Sequence, residues 1–151
     1  MMSFTAPAIL SHGQHSMNLK LHHMQVSEMI LSLSSQIEDF SEKDNFELEF
    51  STAYKLGDAE ECSFMIVFDL RLKVHDTHYL VVKYNAIFLT DTPITIDFQN
   101  SPFPKVNAPA IAFPFLRSFI ATVLLNAGFE PILLPSINFQ AMYNKTVQEK
   151  K

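Results

Sequence analysis

The sequence feature that most constrains the fold is the spacing of large apolar residues in the segment SFMIVFDLRLKV, residues 63–74. Every second residue from Phe64 to Val74 is apolar, and the charged Asp69, Arg71 and Lys73 fall between them. Successive side chains of a β-strand point to opposite faces, so this period of two predicts a half-buried strand. Such a strand needs partner strands on its edges and a cover on its apolar face.

Residues 19–35, LKLHHMQVSEMILSLSS, form the most irregular of the other strand-like segments. Its apolar residues alternate in three short stretches whose registers do not join. A β-bulge inserts one extra residue and changes the side to which the following residues point. We therefore expect a strand with one or two bulges, near His22–His23 and Ser27–Glu28.

Two further segments complete a predicted sheet. In residues 45–54, NFELEFSTAY, three apolar side chains alternate with polar ones, which predicts another half-buried strand. Residues 78–90, HYLVVKYNAIFLT, are apolar at both odd and even positions, so we expect a strand that is covered on both faces. The stretches KLGDAEE and HDTH are typical of the turns that join antiparallel strands.

A helix is predicted after the proline-rich residues 91–109. Asn107 can cap a helix whose first turn contains Pro109, or the helix can start afresh at Pro114, because proline is tolerated only in the first turn. The helix is expected to run to Asn126 and to stop at Gly128. Its apolar arc is wider than one sheet needs, since two neighbouring rows are apolar. These rows are Phe115, Phe119 and Val123, and Leu116, Ile120 and Leu124.

A second helix is predicted in SINFQAMYNKTVQEKK, with Ser136 as its cap. The order of four antiparallel strands followed by two helices indicates an α+β fold with the helices on one face of the sheet. The length of 151 residues fits one domain. We expect a flexible N-terminal arm over residues 1–17 and a folded domain over residues 18–151.

Composition indicates a partner for this domain. The chain is 48% hydrophobic and 18% charged, which leaves too little charge to solvate the whole surface of a monomer. A net charge of −5 with scattered basic residues disfavours nucleic acid. The lone Cys62 favours a reducing compartment, and the sequence predicts neither export nor membrane insertion, so we expect a cytoplasmic protein.

No catalytic or metal-binding motif is apparent. The six histidines include His12 and His15 in the expected arm and the adjacent His22 and His23, whose side chains would point to opposite faces of a strand. No metal site, cofactor or enzymatic activity is therefore predicted. The acidic residues between positions 38 and 49 form either a solvated connection or a docking face for a basic partner.

The segment NAPAIAFPFLRSFIATVLLNAGFEPILLPSINFQAMY, residues 107–143, resembles the C-terminal core of the SecB family of bacterial protein-export chaperones. The shared pattern is an aromatic-Pro-aromatic step, an Arg, a Gly break, a proline-bearing crossover loop and an Asn-Phe pair. The four predicted strands agree with the family's sheet in order and length. The matching positions are Pro109, Phe113, Pro114, Phe115, Arg117, Gly128, Pro131, Pro135, Asn138 and Phe139.

This resemblance implies a homotetramer, built as a dimer of dimers, and an ATP-independent holdase that keeps unfolded preproteins export-competent for delivery to SecA. Its apolar grooves would be lined by the early strands, the crossover loop and the last helix. The client-binding residues that it implies are Phe46, Leu48, Phe50, Phe139, Met142, Tyr143 and Val147. The wide apolar arc of the long helix would supply an oligomer interface of Phe115, Leu116, Phe119, Ile120 and Val123.

The resemblance also places Glu28 at an acidic position used for SecA docking. Ser32 and Val81 stand where the export chaperones have carboxylates, and the sequence TVQEKK replaces their acidic tail. These departures leave open a second role, that of a SecB-like chaperone dedicated to one antitoxin of a toxin–antitoxin system. A third reading, independent of the family, is a monomeric carrier that encloses a small apolar ligand.

Overall fold

A computed structural model of the chain describes residues 17–34, 45–55 and 57–151. The predicted arm lies outside these residues except for Met17, which packs against the core. The acidic residues from Glu38 to Asp44 also lie outside them. The remaining two acidic positions of that run, Glu47 and Glu49, belong to a strand.

The predicted sheet is confirmed. Its four strands are β1 (Leu19–Leu33), β2 (Phe46–Tyr54), β3 (Ser63–Val74) and β4 (His78–Thr90). They lie in the order β1-β4-β3-β2, and every neighbouring pair is antiparallel. The strands β2, β3 and β4 therefore form a meander, while β1 lies beside β4. Both β1 and β2 are edge strands.

Both predicted bulges in β1 are confirmed. Its pairing with β4 shifts register between Leu21 and His23 and again between Val26 and Glu28. Each shift takes up one extra residue, so the apolar residues on both sides of a bulge lie on the same face of the sheet. The broken alternation in the sequence thus reflects one continuous strand.

The core lies on one face of the sheet. The alternating residues of β3 from Phe64 to Val74 are buried there, as are Leu80, Val82 and Phe88 of β4. The opposite face of β4 is only half-buried. The expectation that β4 is covered on both faces is therefore met on one face only within this chain, because both long helices pack on the same side.

The chain then forms α1 (Ile96–Asn100), a π-helical turn (Phe103–Asn107), α2 (Ala108–Asn126) and α3 (Phe139–Glu149). The sequence analysis did not predict α1, which is a single turn capped by Thr95. The start of α2 at Ala108 supports the first of the two alternatives, with Pro109 in the first turn and Pro114 inside the helix. Asn107 precedes the helix, but its side chain makes no capping hydrogen bond.

The end of α2 is the predicted one. Gly128 adopts a positive φ of 90°, a conformation that glycine reaches without strain. The amides of Ala127 and Phe129 then donate to the carbonyls of Val123 and Leu124. The cap of α3 was predicted two residues too early, because Asn138 and not Ser136 accepts a hydrogen bond from the amide of Ala141, at 2.9 Å.

The helical segment Phe103–Asn126 is long and apolar enough to cross a membrane by length and composition, and 39% of its most apolar window is buried inside the chain. One side of α2 packs on the sheet through Leu116, Ile120 and Leu124, which are fully buried. The segment is accordingly a core helix. Its apolar character follows from packing on the sheet on one side and from a partly exposed apolar row on the other.

Candidate functional site

Two open clefts lie along the edge strand β2, on the same side of the sheet as the helices. The first, which we call the helix groove, lies between β2 and α3 and has a volume of about 580 Å³. The second, the loop groove, lies between the start of β2, the β3–β4 hairpin and the crossover loop that joins α2 to α3, and has a volume of about 610 Å³. The helix groove is lined by Leu48, Glu49, Phe50, Lys105, Met142, Tyr143, Thr146, Val147 and Lys150. The loop groove is lined by Asn45, Phe46, Leu72, Lys73, His75, Asp76, Ile132, Leu133, Leu134 and Pro135.

The helix groove brings together most of the predicted client-binding residues. Leu48 and Phe50 form its floor, because they lie on the core face of β2 opposite Leu70 and Phe68 of β3. As β2 is an edge strand, these side chains are covered on one flank only and remain half-buried. Met142 and Val147 on α3 form the facing wall and stay 39% and 40% exposed. The result is a cleft with an apolar floor and an accessible apolar wall.

Phe139 has a different position from the one predicted. It is buried to 3% exposure, and its ring makes edge-to-face contacts with Phe50 at 5.5 Å and with Phe113 of α2 at 5.6 Å between centroids. Edge-to-face aromatic pairs of this kind stabilise packing beyond the area that they bury. Phe139 therefore anchors α3 to the sheet and to α2, and it has almost no surface left for a client.

Phe46 lines the loop groove and not the helix groove. It lies at the first position of β2, opposite Leu72 of β3, and faces the crossover loop. Leu133 of that loop is 76% exposed, the highest value of any large apolar side chain in the part of the chain that the structure describes. The predicted client-binding set is thus divided between two clefts and the core.

The crossover loop has no regular secondary structure, but it is held at both ends. Arg117 of α2 donates a hydrogen bond from Nε to the carbonyl oxygen of Leu134 at 2.8 Å, and the Leu134 side chain is buried. At the other end, the ring of Phe129 packs against His75 at 6.0 Å and His78 at 5.0 Å. These contacts place the exposed Leu133 on the wall of the loop groove.

Sequence analysis missed Lys105 and Lys150 of the helix groove. Lys105 comes from the π-helical turn, and its Nζ atom lies 5.9 Å from the centre of the Tyr143 ring. Residues of such an irregular turn carry no periodicity in the sequence, so only the fold brings Lys105 beside α3. Lys150 could have been found, since it follows Val147 by one turn on the same side of α3.

Glu28 lies on the opposite face of the sheet from both grooves. Its carboxylate forms an ion pair with Lys83 of β4 at 3.5 Å, and both side chains are about half-exposed. Ser32 pairs with Tyr79, and Val81 pairs with Ile30. The surface around Glu28 is therefore mixed in character, with one paired carboxylate beside apolar side chains.

The predicted oligomer interface is divided by the two sides of α2. Leu116 and Ile120 are fully buried in the core of their own chain, because their row faces the sheet, and they have no surface for another copy. Phe115 is 52% exposed, and Phe119 stacks on Tyr84 of β4 at 4.9 Å. Val123 is half-buried. Further exposed apolar side chains that were not predicted are Met29, Leu33, Ile111 and Leu125.

No group of three metal-ligating side chains forms within residues 17–34, 45–55 and 57–151. His22 and His23 are exposed on β1, and His75 and His78 pack on Phe129.

The two apolar grooves lie on a single four-stranded sheet that the apolar helix α2 covers. Known proteins share this architecture. The sequence profile of the SecB family, described as preprotein translocase subunit SecB, matches residues 12–150. This chain belongs to the SecB family. The match over most of the chain confirms the resemblance found in the sequence, and SecB-family proteins are chaperones of protein export.

Relatives of known name agree with this assignment. The protein-export protein SecB of Rickettsia massiliae is 28% identical over 156 aligned positions, which cover 96% of this chain and 91% of that protein. The protein-export protein SecB of Burkholderia lata is 29% identical over 131 positions, covering 85% of this chain and 82% of the relative. The similarity therefore extends over nearly the whole chain.

Solved structures show the same fold at lower sequence identity. The SecB-like chaperone of Mycobacterium tuberculosis, solved in complex with a ChAD peptide from the HigA1 antitoxin, superposes with a TM-score of 0.56. It is 12% identical and covers 79% of this SecB-family chain and 89% of its own. A Streptococcus agalactiae protein of unknown function superposes with a TM-score of 0.51, with 16% identity and coverage of 80% and 99%.

Proposed function

We propose that this SecB-family chain is an ATP-independent holdase of the cytoplasm that binds extended segments of unfolded preproteins in the helix groove and the loop groove. The observation that carries the proposal is the pair of apolar clefts along one edge strand. Leu48 and Phe50 form the floor of one cleft, and Phe46 lies in the other. An unfolded chain can lie along β2 and place apolar side chains in both.

The energetics of such a site require no catalysis. Burying one large apolar side chain contributes about 1.5–3 kcal/mol, and several such contacts along one chain add through their high effective concentration. Met142, Val147 and Leu133 present apolar surface that is already exposed, so little has to move before a client binds. The flexible thioether of Met142 suits clients of different shapes.

We further assign to the chain the homotetrameric state, a dimer of dimers, that the family resemblance implies. The uncovered apolar side chains of α2 and β1 support it, because exposed apolar patches of this kind are typical of protein interfaces. Delivery of clients to SecA is the proposed route of release, with Glu28 as the docking carboxylate. The pairing of Glu28 with Lys83 leaves this contact weaker than an array of free carboxylates would be.

A second candidate function is that of a chaperone dedicated to one antitoxin. It is favoured by the SecB-like chaperone of Mycobacterium tuberculosis, which shares the fold and was solved with an antitoxin peptide. Both candidates use the same grooves and differ in the client. Affinity capture of the tagged protein under native conditions, with SecA and the antitoxin of a neighbouring toxin–antitoxin pair as the two proteins probed, separates them.

The holdase itself is tested by diluting a urea-denatured client into buffer with the protein and without nucleotide, while light scattering is followed. We expect the wild type to delay aggregation at stoichiometric amounts. The double variant Met142→Gln, Val147→Gln should require several-fold more protein, because it removes apolar surface from the helix groove without touching the core. Ala141→Gln, a matched change on another side of α3, should behave as wild type. Failure of the wild type to delay aggregation would reject the proposal.

A further inference from the structure

The helix groove contains two lysines whose charges are not neutralised within the part of the chain that the structure describes. The ion pairs there join Lys55 to Glu61, Lys73 to Asp76 and Lys83 to Glu28, so neither lysine of the helix groove takes part in one. These two are Lys105 and Lys150. This is unexpected in a chain whose net charge is −5.

The loop groove provides an internal comparison. It also contains one lysine, Lys73, but Asp76 of the same hairpin pairs with it at 3.5 Å. The charges of Lys73 and Asp76 therefore cancel in the loop groove. In the helix groove, Glu49 is the only acidic side chain among the described residues that line it, and two lysines, Lys105 and Lys150, line it as well. Glu49 lies on the outer face of β2, opposite Asp69 of β3, and so belongs to the rim and not to the floor.

The two lysines lie at different places along the length of α3. The Nζ atom of Lys105 is held over the ring of Tyr143, and Lys150, the C-cap of α3, follows Tyr143 by seven residues, or about two helical turns. At a rise of 1.5 Å per residue, the backbone positions of Tyr143 and Lys150 are roughly 10 Å apart along the helix axis. An extended chain covers that distance in three to four residues, since a strand rises about 3.3 Å per residue. Thr146 and Val147 line the groove between them.

Resting on the proposed function, we infer that the helix groove selects extended client segments in which acidic residues flank a short apolar stretch. The apolar side chains pack on Leu48, Phe50 and Val147, and the two flanking carboxylates meet Lys105 and Lys150. Tyr143 positions Lys105 through a cation–π contact, so part of the ordering of that side chain precedes binding. A cationic flank at the same places is repelled by both lysines.

The size of the preference follows from the exposure of these charges. Ion pairs at a protein surface are weak, so two of them together should change affinity by roughly fivefold. Salt screens exposed ion pairs of this kind, because the Debye length is about 10 Å at 0.1 M ionic strength and shortens as salt is added. The preference for acidic flanks should therefore shrink at higher salt. The apolar part of the binding is not weakened in this way.

Three short fluorescent peptides with the same three-residue apolar stretch, flanked on each side by Glu, Gln or Lys, test this inference by fluorescence anisotropy. The Glu peptide should bind roughly fivefold more tightly than the Gln peptide at low salt, and the Lys peptide should bind most weakly. The double variant Lys105→Gln, Lys150→Gln should bind all three alike. Lys145→Gln removes a lysine that does not line the groove, and it should keep the full preference.

The possible results separate the inference from the function on which it rests. If none of the peptides binds to the wild type, the proposed client-binding function and the inference fail together. If all three bind equally, or the Lys peptide binds most tightly, the groove binds clients but the charge selection is overturned. Loss of the preference in Lys145→Gln as well as in the double variant would also overturn it, because the effect would then reflect net charge alone.

Discussion

The helix groove and the loop groove share the floor of β2 and have similar volumes, yet their outer walls are held in different ways. The wall of the helix groove is α3, which Phe139 anchors by aromatic packing against Phe50 and Phe113. The wall of the loop groove is the crossover loop, which Arg117 holds through one hydrogen bond to the carbonyl of Leu134. The wall of the helix groove therefore depends on packing within the core. The wall of the loop groove depends on one hydrogen bond, on the buried side chain of Leu134 and on the packing of Phe129 at the other end of the loop.

This difference indicates which cleft can adapt to a client. A helix packed through a buried ring moves only if the core is disturbed, whereas a loop without regular secondary structure can adjust between its two held ends. We expect the helix groove to set specificity and the loop groove to accommodate variable segments. Three of the four variants that follow test this contrast, and Phe115→Glu tests the assembly in which both grooves are proposed to lie; they are ordered from the largest expected effect to the smallest.

Phe139→Ala should lower the free energy of unfolding by about 3 kcal/mol, because it removes a buried aromatic ring and leaves a cavity. Its site lies where the loop becomes α3, so client binding in both grooves should weaken. Urea unfolding followed by circular dichroism measures the change. Met142→Ala, on the exposed wall, should cost less than about 1 kcal/mol. Equal costs for the two variants would show that α3 is not anchored as described.

Phe115→Glu should disrupt the proposed tetramer while leaving the grooves of each chain formed. Each Phe115 ring that becomes buried between copies contributes about 2 kcal/mol, and a carboxylate there opposes association. Native mass spectrometry should give a fourfold mass for the wild type and a lower mass for the variant. Ala110→Glu, on another side of α2, should keep the wild-type mass. A wild-type monomer loaded with a small apolar ligand would instead favour the carrier hypothesis.

Arg117→Met should loosen the loop groove selectively. The variant keeps the apolar stem of Arg117 but loses the donor to Leu134, at a cost of about 1.5 kcal/mol. Amide hydrogen exchange should become faster in residues 129–135 and should not change in α3. Arg117→Lys retains a donor of similar length and should show a smaller increase. Faster exchange throughout α3 would mean that the two walls are coupled.

Asp76→Asn should have the smallest effect on stability, below about 1 kcal/mol, since the pair with Lys73 is exposed. The variant removes the carboxylate that pairs with Lys73, so the charge of Lys73 becomes available to a client. If unpaired lysines confer a preference for acidic clients, combining Asp76→Asn with Lys105→Gln and Lys150→Gln should restore a preference for the Glu peptide. We expect this preference to be about twofold. Peptide anisotropy measures it, and Asp58→Asn, at a turn outside both grooves, serves as the control. An unchanged preference would confine charge selection to the helix groove.

Much of the fold could be predicted because local patterns carry it. The alternation in β3 predicted the core face, the two breaks in β1 predicted its bulges, and Gly128 predicted the end of α2. The family resemblance supplied Leu48, Phe50, Met142 and Val147 as groove residues, and the structure brings these together. Periodicity succeeds here because it reports which side chains share a face, and that depends only on the backbone of one element.

The amino-acid sequence by itself therefore determined the order of the four strands and the two long helices, their apolar faces and the end of α2. Only the tertiary structure decided how much of each face is covered. It buried Phe139, Leu116 and Ile120, left one face of β4 half-exposed, and brought Lys105 beside Tyr143. The physical reason is that burial depends on which neighbour packs against a face, and the packing partner of a residue can lie anywhere along the chain.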